Sequence, residues 1–364
     1  MDSSTFRVVR ADRGAVLAVP DDVLLAGDAG AAQEVRAVLD RDGAAPSSDP
    51  GAEGGRLVPT VGDLVRLAGA GSAPDEGPEG APDAPGTPSH VVEVLPRRTA
   101  LVRDSAGATS RTQTLAANVD VVLVVEHLDP DPDLGRLERM LTLAWRSGAQ
   151  PVVVLTKADL VPDPDGMAAE VAEVALAVPV HAVSASRDEG LDGLRALLAP
   201  GVTLVVVGPS GAGKSTLVNA LAGHDVMAVG ARREGDGRGR HTTTHRELVP
   251  LAGGAMLVDT PGIRTVGLVA DDDALDATFA DVRALADACR FADCSHASEP
   301  GCAVRAALDS GELPQRRYDS WLKLAREAAF QARRVDARLA ADERRRWKQV
   351  HREARARARH RPGR

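Results

Sequence analysis

The feature that most constrains the fold of this chain is the stretch 202–216, which reads VTLVVVGPSGAGKST. Its first six residues are apolar or β-branched and predict a strand buried on both faces, as in a parallel sheet. The next eight residues, GPSGAGKS, satisfy the phosphate-loop template of a glycine, four variable residues and Gly-Lys-Ser. Apolar side chains at helical spacing follow and end at Gly223, which predicts a helix. The order strand, glycine-rich loop, helix predicts an α/β domain with a nucleotide site.

The residue types of this loop suit phosphate binding. Glycines allow a tight turn whose backbone N–H groups face a phosphate, and the following helix adds the positive end of its dipole. We expect Lys214 to reach the β- and γ-phosphates and the Ser215 hydroxyl to bind Mg²⁺. The alternative, a glycine-rich turn with a chance Lys-Ser pair, is disfavoured by the strand and the helix on either side. The predicted phosphate-contacting residues are Gly208, Pro209, Ser210, Gly211, Ala212, Gly213, Lys214, Ser215 and Thr216.

Residues 112–200 alternate between predicted strands and predicted helices. NVDVVLVVEHL at 118–128 and the segments PVVVLTKADL and PVHAVSAS predict strands. Amphipathic spacing predicts helices over 136–146, about 167–178 and 191–198. This alternation predicts a doubly wound α/β domain around the phosphate loop.

Two loops that follow predicted strands carry residues typical of guanine recognition. TKADL at 156–160 resembles the Asn-Lys-x-Asp motif of GTPases, whose Asp accepts hydrogen bonds from guanine N1–H and the 2-amino group. Adenine lacks both donors and would leave that carboxylate unpaired. SAS at 184–186 resembles the short loop whose backbone N–H meets guanine O6. The predicted base-contacting residues are Thr156, Lys157, Ala158, Asp159, Ser184 and Ala185.

Thr156 stands where the guanine motif normally has Asn. That Asn ties the base loop to the phosphate loop and approaches the base, whereas Thr can make one such bond. We therefore expect somewhat weaker guanine affinity, with selectivity retained because Asp159 carries it.

Two further segments match the switch elements of GTPases. GDGRGRHTTTH at 235–245 offers Thr242 and Thr243 as candidates for the hydroxyl that meets Mg²⁺ and the γ-phosphate. MLVDTPG at 256–262 predicts a strand ending in Asp-x-x-Gly, where Asp259 would hold Mg²⁺ through water and the Gly262 N–H would contact the γ-phosphate. All five GTPase elements are present, but the base-binding pair comes first in the chain. This order predicts a circular permutation, which can preserve the site because function depends on spatial arrangement.

All three cysteines of the chain fall in one segment, CRFADCSHASEPGC at 289–302. Cys289, Cys294, His296 and Cys302 have the spacing C-x4-C-x-H-x5-C, and three thiolates with one imidazole can complete a tetrahedral zinc site. The odd count argues against a disulfide framework and for a cytosolic metal site, the alternative being free thiols beside an unrelated histidine. Because four ligands leave no open position for catalysis, we expect one structural Zn²⁺. Helices are predicted around it, over 273–288, 302–310 and 316 to about 358.

Residues 1–110 predict a small β-rich domain, because short apolar or alternating runs are separated by turn residues, as in a small barrel or sandwich. The runs are 6–9, 14–19, 33–39, 64–67 and 90–95. Two inserts, 42–55 and 69–89, are rich in Gly, Pro and acidic residues and predict mobile loops. Arg97, Arg98 and Arg103 in the segment LPRRTALVR form either a phosphate-contacting edge or a solvated charged edge.

Composition narrows the class of protein. Hydrophobic residues make up 44% of the chain and aromatic residues 2%, so Ala, Val and Leu must fill its cores. The net charge of −8 gives no global attraction to nucleic acid, although residues 344–364 form a basic tail. No apolar stretch approaches the ~20 residues of a membrane span, and the first residues lack the apolar core of a signal peptide. We therefore expect a cytoplasmic protein of two or three domains with no membrane partner.

Together these motifs resemble the ribosome small-subunit-dependent GTPase A family, the RsgA or YjeQ/YloQ-like circularly permuted GTPases. The resemblance covers nearly the full length and includes VGDLV at 61–65, ANVD at 117–120, TKADL, GPSGAGKST, GRHTTTH, DTPG and the Cys/His cluster. It implies an OB-fold β-barrel over 1–110, an α/β circularly permuted phosphate-loop GTPase domain over 111–268 and an α-helical zinc-binding domain over 269–340, followed by the basic tail 341–364. The two inserts and Thr156 depart from the family pattern.

The resemblance also implies GTP hydrolysis stimulated by the 30S subunit during late maturation of that subunit. GTP or GDP, the 30S subunit and its 16S rRNA would then be the partners of a monomeric protein. The residues alone leave two other functions open. One is a GTPase acting on a non-ribosomal partner, and the other is an RNA-binding module whose nucleotide site is a slow timer.

The residue that orients the attacking water is not obvious from the motifs. Ras-type GTPases carry a Gln after Asp-x-x-Gly, and this chain has Ile263, which cannot form a hydrogen bond. The nearest polar candidate is His241 beside the switch threonines, whose imidazole could orient water once its loop is ordered. Alternatively, His241 contacts rRNA or solvent. The candidate catalytic residues are therefore Lys214, His241 and Gly262.

Overall fold

The computed structural model describes residues 5–26, 33–68, 89–104, 112–227, 247–259, 271–335 and 344. The chain divides into two units. The first comprises Met1–Arg103 with Gln113–Val266, and the second comprises Asp104–Thr112 with Gly267–Arg364. The first unit contains a barrel and the α/β domain, and the second contains the helices that carry the Cys/His cluster.

The N-terminal residues form a closed five-stranded barrel, as the OB-fold expectation requires. Around the barrel the strands run β1-β2-β3-β7-β6, and β6 pairs back with β1. The β3–β7 pair is parallel and the others are antiparallel, which is the OB topology. The elements of this part are β1 Thr5–Asp12, β2 Ala15–Pro20, α1 Asp21–Leu25, β3 Val35–Val38, β4 Ala45–Pro46, β5 Arg56–Leu57, β6 Leu64–Ala68, β7 Ser89–Val94, β8 Ala100–Asp104 and β9 Thr112–Ala117. Its core consists of small aliphatic side chains and Phe6.

The insert 42–55 differs from the expectation of a mobile loop, because it contributes to the antiparallel pair β4–β5. Its polar side chains attach it to the barrel. The Asp49 carboxylate accepts a hydrogen bond from the Arg97 N–H at 2.7 Å, and the Ser47 hydroxyl donates to the Val94 carbonyl at 2.8 Å. These partners lie more than forty residues away, so the composition of the insert does not reveal them. The second insert, 69–89, lies outside the described residues except for Ser89, which begins β7.

The α/β domain contains five parallel strands and one antiparallel strand in the order β12-β11-β10-β13-β15-β14. Its strands are β10 Val121–His127, β11 Gln150–Thr156, β12 Val180–Ala182, β13 Thr203–Val207, β14 Glu247–Pro250 and β15 Met256–Asp259. Its helices are α2 Leu134–Ser147, α3 Pro164–Ala172, α4 Asp192–Arg195 and α5 Lys214–Ala222. The helices α3 and α4 are shorter than their apolar spacing suggested. Two apolar clusters cover the sheet, so β10, β11 and β13 are almost completely buried.

The barrel and the α/β domain share one continuous sheet. The first barrel strand, β1, pairs with β14 through Arg10 and Glu247. Beside this pairing, the guanidinium of Arg7, 4% exposed, donates to Asp21 at 2.7 Å and to the Thr203 hydroxyl at 3.1 Å. A buried charge needs such partners, so this contact fixes β1 against β13.

The second unit is helical, with α6 Asp272–Thr278, α7 Ala280–Asp287, α8 Ala303–Ser310 and α9 Gln315–Val335. The single helix predicted over 273–288 is instead two helices that meet at Phe279, whose ring is fully buried. Arg317, 2% exposed, lies 4.4 Å above that ring and binds both carboxylate oxygens of Asp281. The basic tail lies outside the described residues apart from Arg344, which is helical and exposed. None of the described helices is long and apolar enough to cross a membrane.

Candidate functional site

The phosphate loop lies at the carboxyl ends of two neighbouring parallel strands, β10 and β13. From this pair the sheet extends through β11 on one side and β15 on the other. Ligands of open α/β sheets bind at such a switch point, outside the carboxyl ends of the strands. At this edge the phosphate loop follows β13, the base loop follows β11, and Asp259, the first residue of the Asp-x-x-Gly motif, ends β15.

Glycine is required at two positions of the phosphate loop. A Cβ on Gly208 would lie 2.3 Å from the Val125 carbonyl oxygen, so the loop can leave β13 against β10 only without a side chain there. Gly213 has a φ of +75° and forms the N-cap of α5, a conformation that favours glycine. The helix then ends at Gly223, which is left-handed with a φ of +75°, as the sequence predicted.

Lys214 begins α5 and folds back over the phosphate loop. Its Nζ donates to the carbonyl oxygens of Gly208 at 2.9 Å and Pro209 at 2.5 Å. The ammonium is thereby held over the loop that the sequence assigned to phosphate. Ser215 and Thr216 follow in the first turn of the helix and are half-buried.

The base loop is attached to the phosphate loop through Thr156. The Thr156 hydroxyl lies 2.8 Å from the Ala212 carbonyl oxygen and 3.1 Å from the Glu126 carbonyl oxygen. After it, Lys157 has a φ of +62°, and its Nζ donates to the Asp129 carbonyl at 3.0 Å. The Ala158 N–H donates to the Val183 carbonyl at 3.1 Å, which joins this loop to the segment before Ser184.

The structure brings together Asp159 and Ser184, two of the predicted base-contacting residues. The Ser184 hydroxyl donates to Asp159 at 2.7 Å, and Arg187 lies 3.6 Å from the other carboxylate oxygen. The hydrogen bond from Ser184, with the charge of Arg187, lowers the pKa of Asp159. The carboxylate is therefore ionised at neutral pH and can accept hydrogen bonds. Ala185 follows on a turn closed by the pairing of Ser184 with Glu189.

Sequence reasoning missed an ion pair behind the base loop. Glu126 is fully buried near the end of β10, and Arg136 of α2 binds its two carboxylate oxygens at 2.6 and 2.8 Å. The pair fixes α2 against the strand whose carbonyl contacts Thr156. A signal was present, because Glu126 is the one acidic residue within the apolar run VVLVVEHL.

The predicted switch and water-orienting residues are not all described. Asp259 ends β15, where its backbone pairs with Glu247 of β14. His241, Thr242, Thr243 and Gly262 lie outside the described residues. The chain positions Asp259 at the carboxyl edge of the sheet, next to the strand that precedes the phosphate loop.

The arginines of LPRRTALVR do not form one exposed edge. Arg97 binds both oxygens of the fully buried Asp63 at 2.7 Å each, and Arg98 lies 3.2 Å from Asp120. Burial raises the pKa of Asp63, and the Arg97 guanidinium opposes that rise. The side chain of Arg103 is not among those described. The Arg97 side chain is 10% exposed and binds Asp63, so Arg97 is a structural residue and not a phosphate contact.

The Cys/His cluster of the second unit is assembled as predicted. The ligand atoms of Cys289, Cys294, His296 and Cys302 all lie within 4.8 Å of one another. The Cys289 and Cys302 sulfurs are 3.8 Å apart, and they lie 3.6 and 3.5 Å from His296 Nδ1. A tetrahedral zinc with ordinary bond lengths requires about 3.8 Å between sulfurs and about 3.6 Å between sulfur and nitrogen. The cluster therefore fits one structural zinc.

Glu299 organises the loop that carries His296. Its carboxylate accepts backbone N–H bonds from Ser295 at 3.1 Å and from Ala297 and Ser298 at 3.0 Å each. The hydroxyl of Ser295 also donates to it. The Ser295 hydroxyl first, and then the backbone N–H groups of Glu299, Ser298 and Ser295, lower the pKa of Glu299 from 4.5 to about 2. Because folding depresses this pKa, the ionised Glu299 carboxylate stabilises the folded state. This contribution is fully present above pH 4.5 and is lost as the pH falls toward 2.

We expect Glu299→Gln to weaken metal binding at neutral pH, because the amide nitrogen cannot accept two of these N–H bonds. Groups that orient metal ligands typically contribute about 10- to 100-fold in affinity. Zinc release to a colorimetric chelator measures the effect. The control is Glu312→Gln, an exposed glutamate of the same unit. Equal zinc affinity of the Glu299 variant and the wild type would contradict this role.

The fold and the site together define the class of protein: a phosphate-loop GTPase with circularly permuted elements. Two solved structures share the fold. The structure of YjeQ from Thermotoga maritima matches with a TM-score of 0.59 and 24% identity, covering 89% of this chain and 98% of that one. YloQ, described as a circularly permuted GTPase, matches with a TM-score of 0.58 and 22% identity, covering 89% and 94%.

Sequence comparison identifies the family. The profile of the RsgA GTPase family matches residues 94–269. A protein of Streptomyces avermitilis named small ribosomal subunit biogenesis GTPase RsgA is 54% identical over 274 residues, 74% of each chain. A protein of the same name from Opitutus terrae is 51% identical over 267 residues, 73% of each chain. The chain therefore belongs to the RsgA GTPase family and is a GTP hydrolase.

Proposed function

We propose that this chain binds the small ribosomal subunit and hydrolyses GTP during late maturation of that subunit, with turnover stimulated by the 30S particle. The observation that carries the proposal is the junction of the phosphate loop and the base loop through Thr156 at one edge of the sheet. The curated relatives, which are 54% and 51% identical over about three quarters of this chain, are named for small-subunit biogenesis.

The proposed site assigns a role to each predicted residue. Lys214 exchanges the carbonyls of Gly208 and Pro209 for the β- and γ-phosphates, and the N–H groups at the start of α5 contact the same anion. Asp159 accepts from the Watson–Crick edge of guanine, and the Ala185 N–H donates to O6. Ser215, Asp259 and a switch threonine, Thr242 or Thr243, would hold Mg²⁺, which when bound would supply positive charge to the phosphates.

The water-orienting role is proposed for His241, and the Gly262 N–H would contact the γ-phosphate. An imidazole can orient or accept from water when its loop is ordered by a partner. This ordering by the 30S subunit would explain stimulation without a donated catalytic residue. His241→Ala, assayed with and without 30S while binding is measured separately, tests the assignment; full stimulated turnover removes His241 from the mechanism.

The ribosomal contacts are proposed to come from the barrel and the basic tail, with 16S rRNA as their target. OB barrels bind oligonucleotides, and a cluster of arginines supplies the electrostatic attraction that the net charge of −8 does not. The chain would act as a cytoplasmic monomer with one structural Zn²⁺ in the helical unit.

The test is the GTPase rate of the purified chain with 30S subunits, 50S subunits or free RNA. The proposal expects stimulation by 30S and not by the other two. Equal stimulation by free RNA would favour an RNA-binding timer, and no stimulation by either subunit would favour a non-ribosomal partner. Because phosphate contacts depend on salt, the 30S effect should also fall as the ionic strength rises.

We expect Asp159→Asn to shift base selectivity from guanine toward xanthine. The amide supplies a donor where the carboxylate supplied an acceptor, and xanthine carries an oxygen where guanine carries its 2-amino group. A site built on hydrogen bonds can reject a mismatched base by orders of magnitude. Competition between GDP and XDP measures the shift, with Asp192→Asn, fully exposed on α4, as the control. Unchanged GDP preference in the Asp159 variant would contradict the assignment.

A further inference from the structure

The Thr156 hydroxyl forms a strap between the two loops of the proposed nucleotide site. It lies 2.8 Å from the Ala212 carbonyl of the phosphate loop and 3.1 Å from the Glu126 carbonyl of β10. The residue is 2% exposed, so water does not compete for this contact. A Cβ on Gly213 would lie 3.5 Å from the same oxygen, which shows how closely the phosphate loop packs on it.

A threonine at this position has no donor left for a ligand. A hydroxyl carries one proton, and here two backbone carbonyls already share it. An asparagine amide would carry two protons, one for a carbonyl and one for another acceptor. The Thr156 hydroxyl therefore donates only to backbone carbonyls, and no proton remains for an acceptor on the base.

The position of Thr156 determines which part of a base it could contact. Asp159, three residues later, accepts from the Watson–Crick edge in the proposed site. In the proposed site the sugar, which joins the base through its five-membered ring, would lead toward the phosphate loop, so that ring would face the contact between Thr156 and Ala212. The acceptor on that ring is N7.

Resting on the proposed function, we propose that Thr156 positions the phosphate loop against the base loop and donates no hydrogen bond to guanine N7. Base selectivity would then depend on the Watson–Crick edge alone. The chain would then accept guanine nucleotides altered at N7. It would still reject those altered at N1 or the 2-amino group, which Asp159 contacts.

The first test compares GDP with 7-deazaguanosine diphosphate, in which a C–H replaces N7, by competition binding to the full chain. We expect dissociation constants within about threefold of each other, whereas inosine diphosphate, which lacks the 2-amino group, binds about tenfold more weakly or worse. If GDP binds tightly and the 7-deaza analogue binds more than about tenfold more weakly, this inference is wrong. If ADP competes as well as GDP, the proposed function itself fails.

The second test changes the strap. Thr156→Asn restores a spare donor and should make the protein prefer GDP over the 7-deaza analogue by about fivefold or more, the value of one hydrogen bond. If the Asn variant binds GDP as well as the wild type and still does not distinguish the two, Thr156 does not lie beside N7.

Thr156→Val separates positioning from base contact, because it keeps the shape and removes the hydroxyl. We expect this variant to bind GDP and the 7-deaza analogue more weakly by the same factor, about tenfold. Thr156→Ser, which keeps the hydroxyl, should bind both with wild-type affinity. The matched control is Thr142→Val, which removes another fully buried hydroxyl, one that donates within α2. Wild-type affinity in a folded Thr156→Val variant, with folding checked by circular dichroism, would overturn the strap.

Discussion

Replacing Lys214 with alanine is expected to lower GTP turnover by about 10²- to 10³-fold, the loss typical of removing one preorganised electrostatic contact from a reacting group. The structure holds the Lys214 ammonium over the phosphate loop through two backbone carbonyls. In the proposed site the same ammonium stabilises the charge on the β- and γ-phosphates. Phosphate release under single-turnover conditions measures the loss without a contribution from product release.

The matched control for Lys214→Ala is Lys323→Ala, which removes an exposed ammonium from α9. It should retain wild-type turnover in the absence of ribosomal subunits. GDP binding by the Lys214 variant distinguishes a lost catalytic contact from a misfolded loop. Hydrolysis that persists in this variant, after contaminating GTPases are excluded by an independent purification, would contradict the role of Lys214.

Replacing Cys294 with alanine is expected to release zinc and unfold the helical unit. Structural zinc sites contribute about 10–16 kcal/mol of apparent binding free energy at neutral pH, and this energy is folding free energy. The unit has a small core that includes Cys302, and Cys289 and Cys294 pack against it. Loss of one ligand from four therefore removes much of what holds the unit together. Elemental analysis and thermal melting with and without added zinc measure the effect.

The control for Cys294→Ala is Phe291→Ala, which removes a larger but exposed side chain from the same loop. This variant should retain one zinc per chain. GDP binding provides a second measurement, because the nucleotide site lies in the first unit and should survive loss of the metal. A Cys294 variant with unchanged zinc content and melting temperature would show that this thiol is not a ligand.

The sequence predicted the parts of the site that depend on neighbours in the chain. The apolar run before Gly208 became β13, and the helix after it ends at the left-handed Gly223. The four candidate metal ligands lie within 13 residues of Cys289, so their spacing in the chain predicted that they would come together. Local chemistry determined each of these features.

The features that the sequence did not reveal depend on distant partners. Arg97 belongs to a run of basic residues, but its side chain is only 10% exposed because Asp63, 34 residues earlier, binds it. Asp49 orders an insert whose composition predicts mobility, because its carboxylate accepts a hydrogen bond from the backbone N–H of Arg97, 48 residues away. The break at Phe279 interrupts a continuous amphipathic pattern because the ring enters the core beneath Arg317. In each case a tertiary contact overrides a local pattern.

The continuous sheet has a consequence for solubility. A strand with unpaired N–H and C=O groups is a template for aggregation, and closure into a barrel removes such edges. Here the barrel closes on itself, and through the pair Arg10–Glu247 β1 also joins β14, the strand that would otherwise terminate the α/β sheet. Within the described residues, the free edge that remains on this eleven-stranded sheet is β12, three residues long. The barrel therefore protects the β14 edge of the α/β sheet within the same chain. Removing the barrel would expose β14 to pairing with a strand from a second copy of the chain.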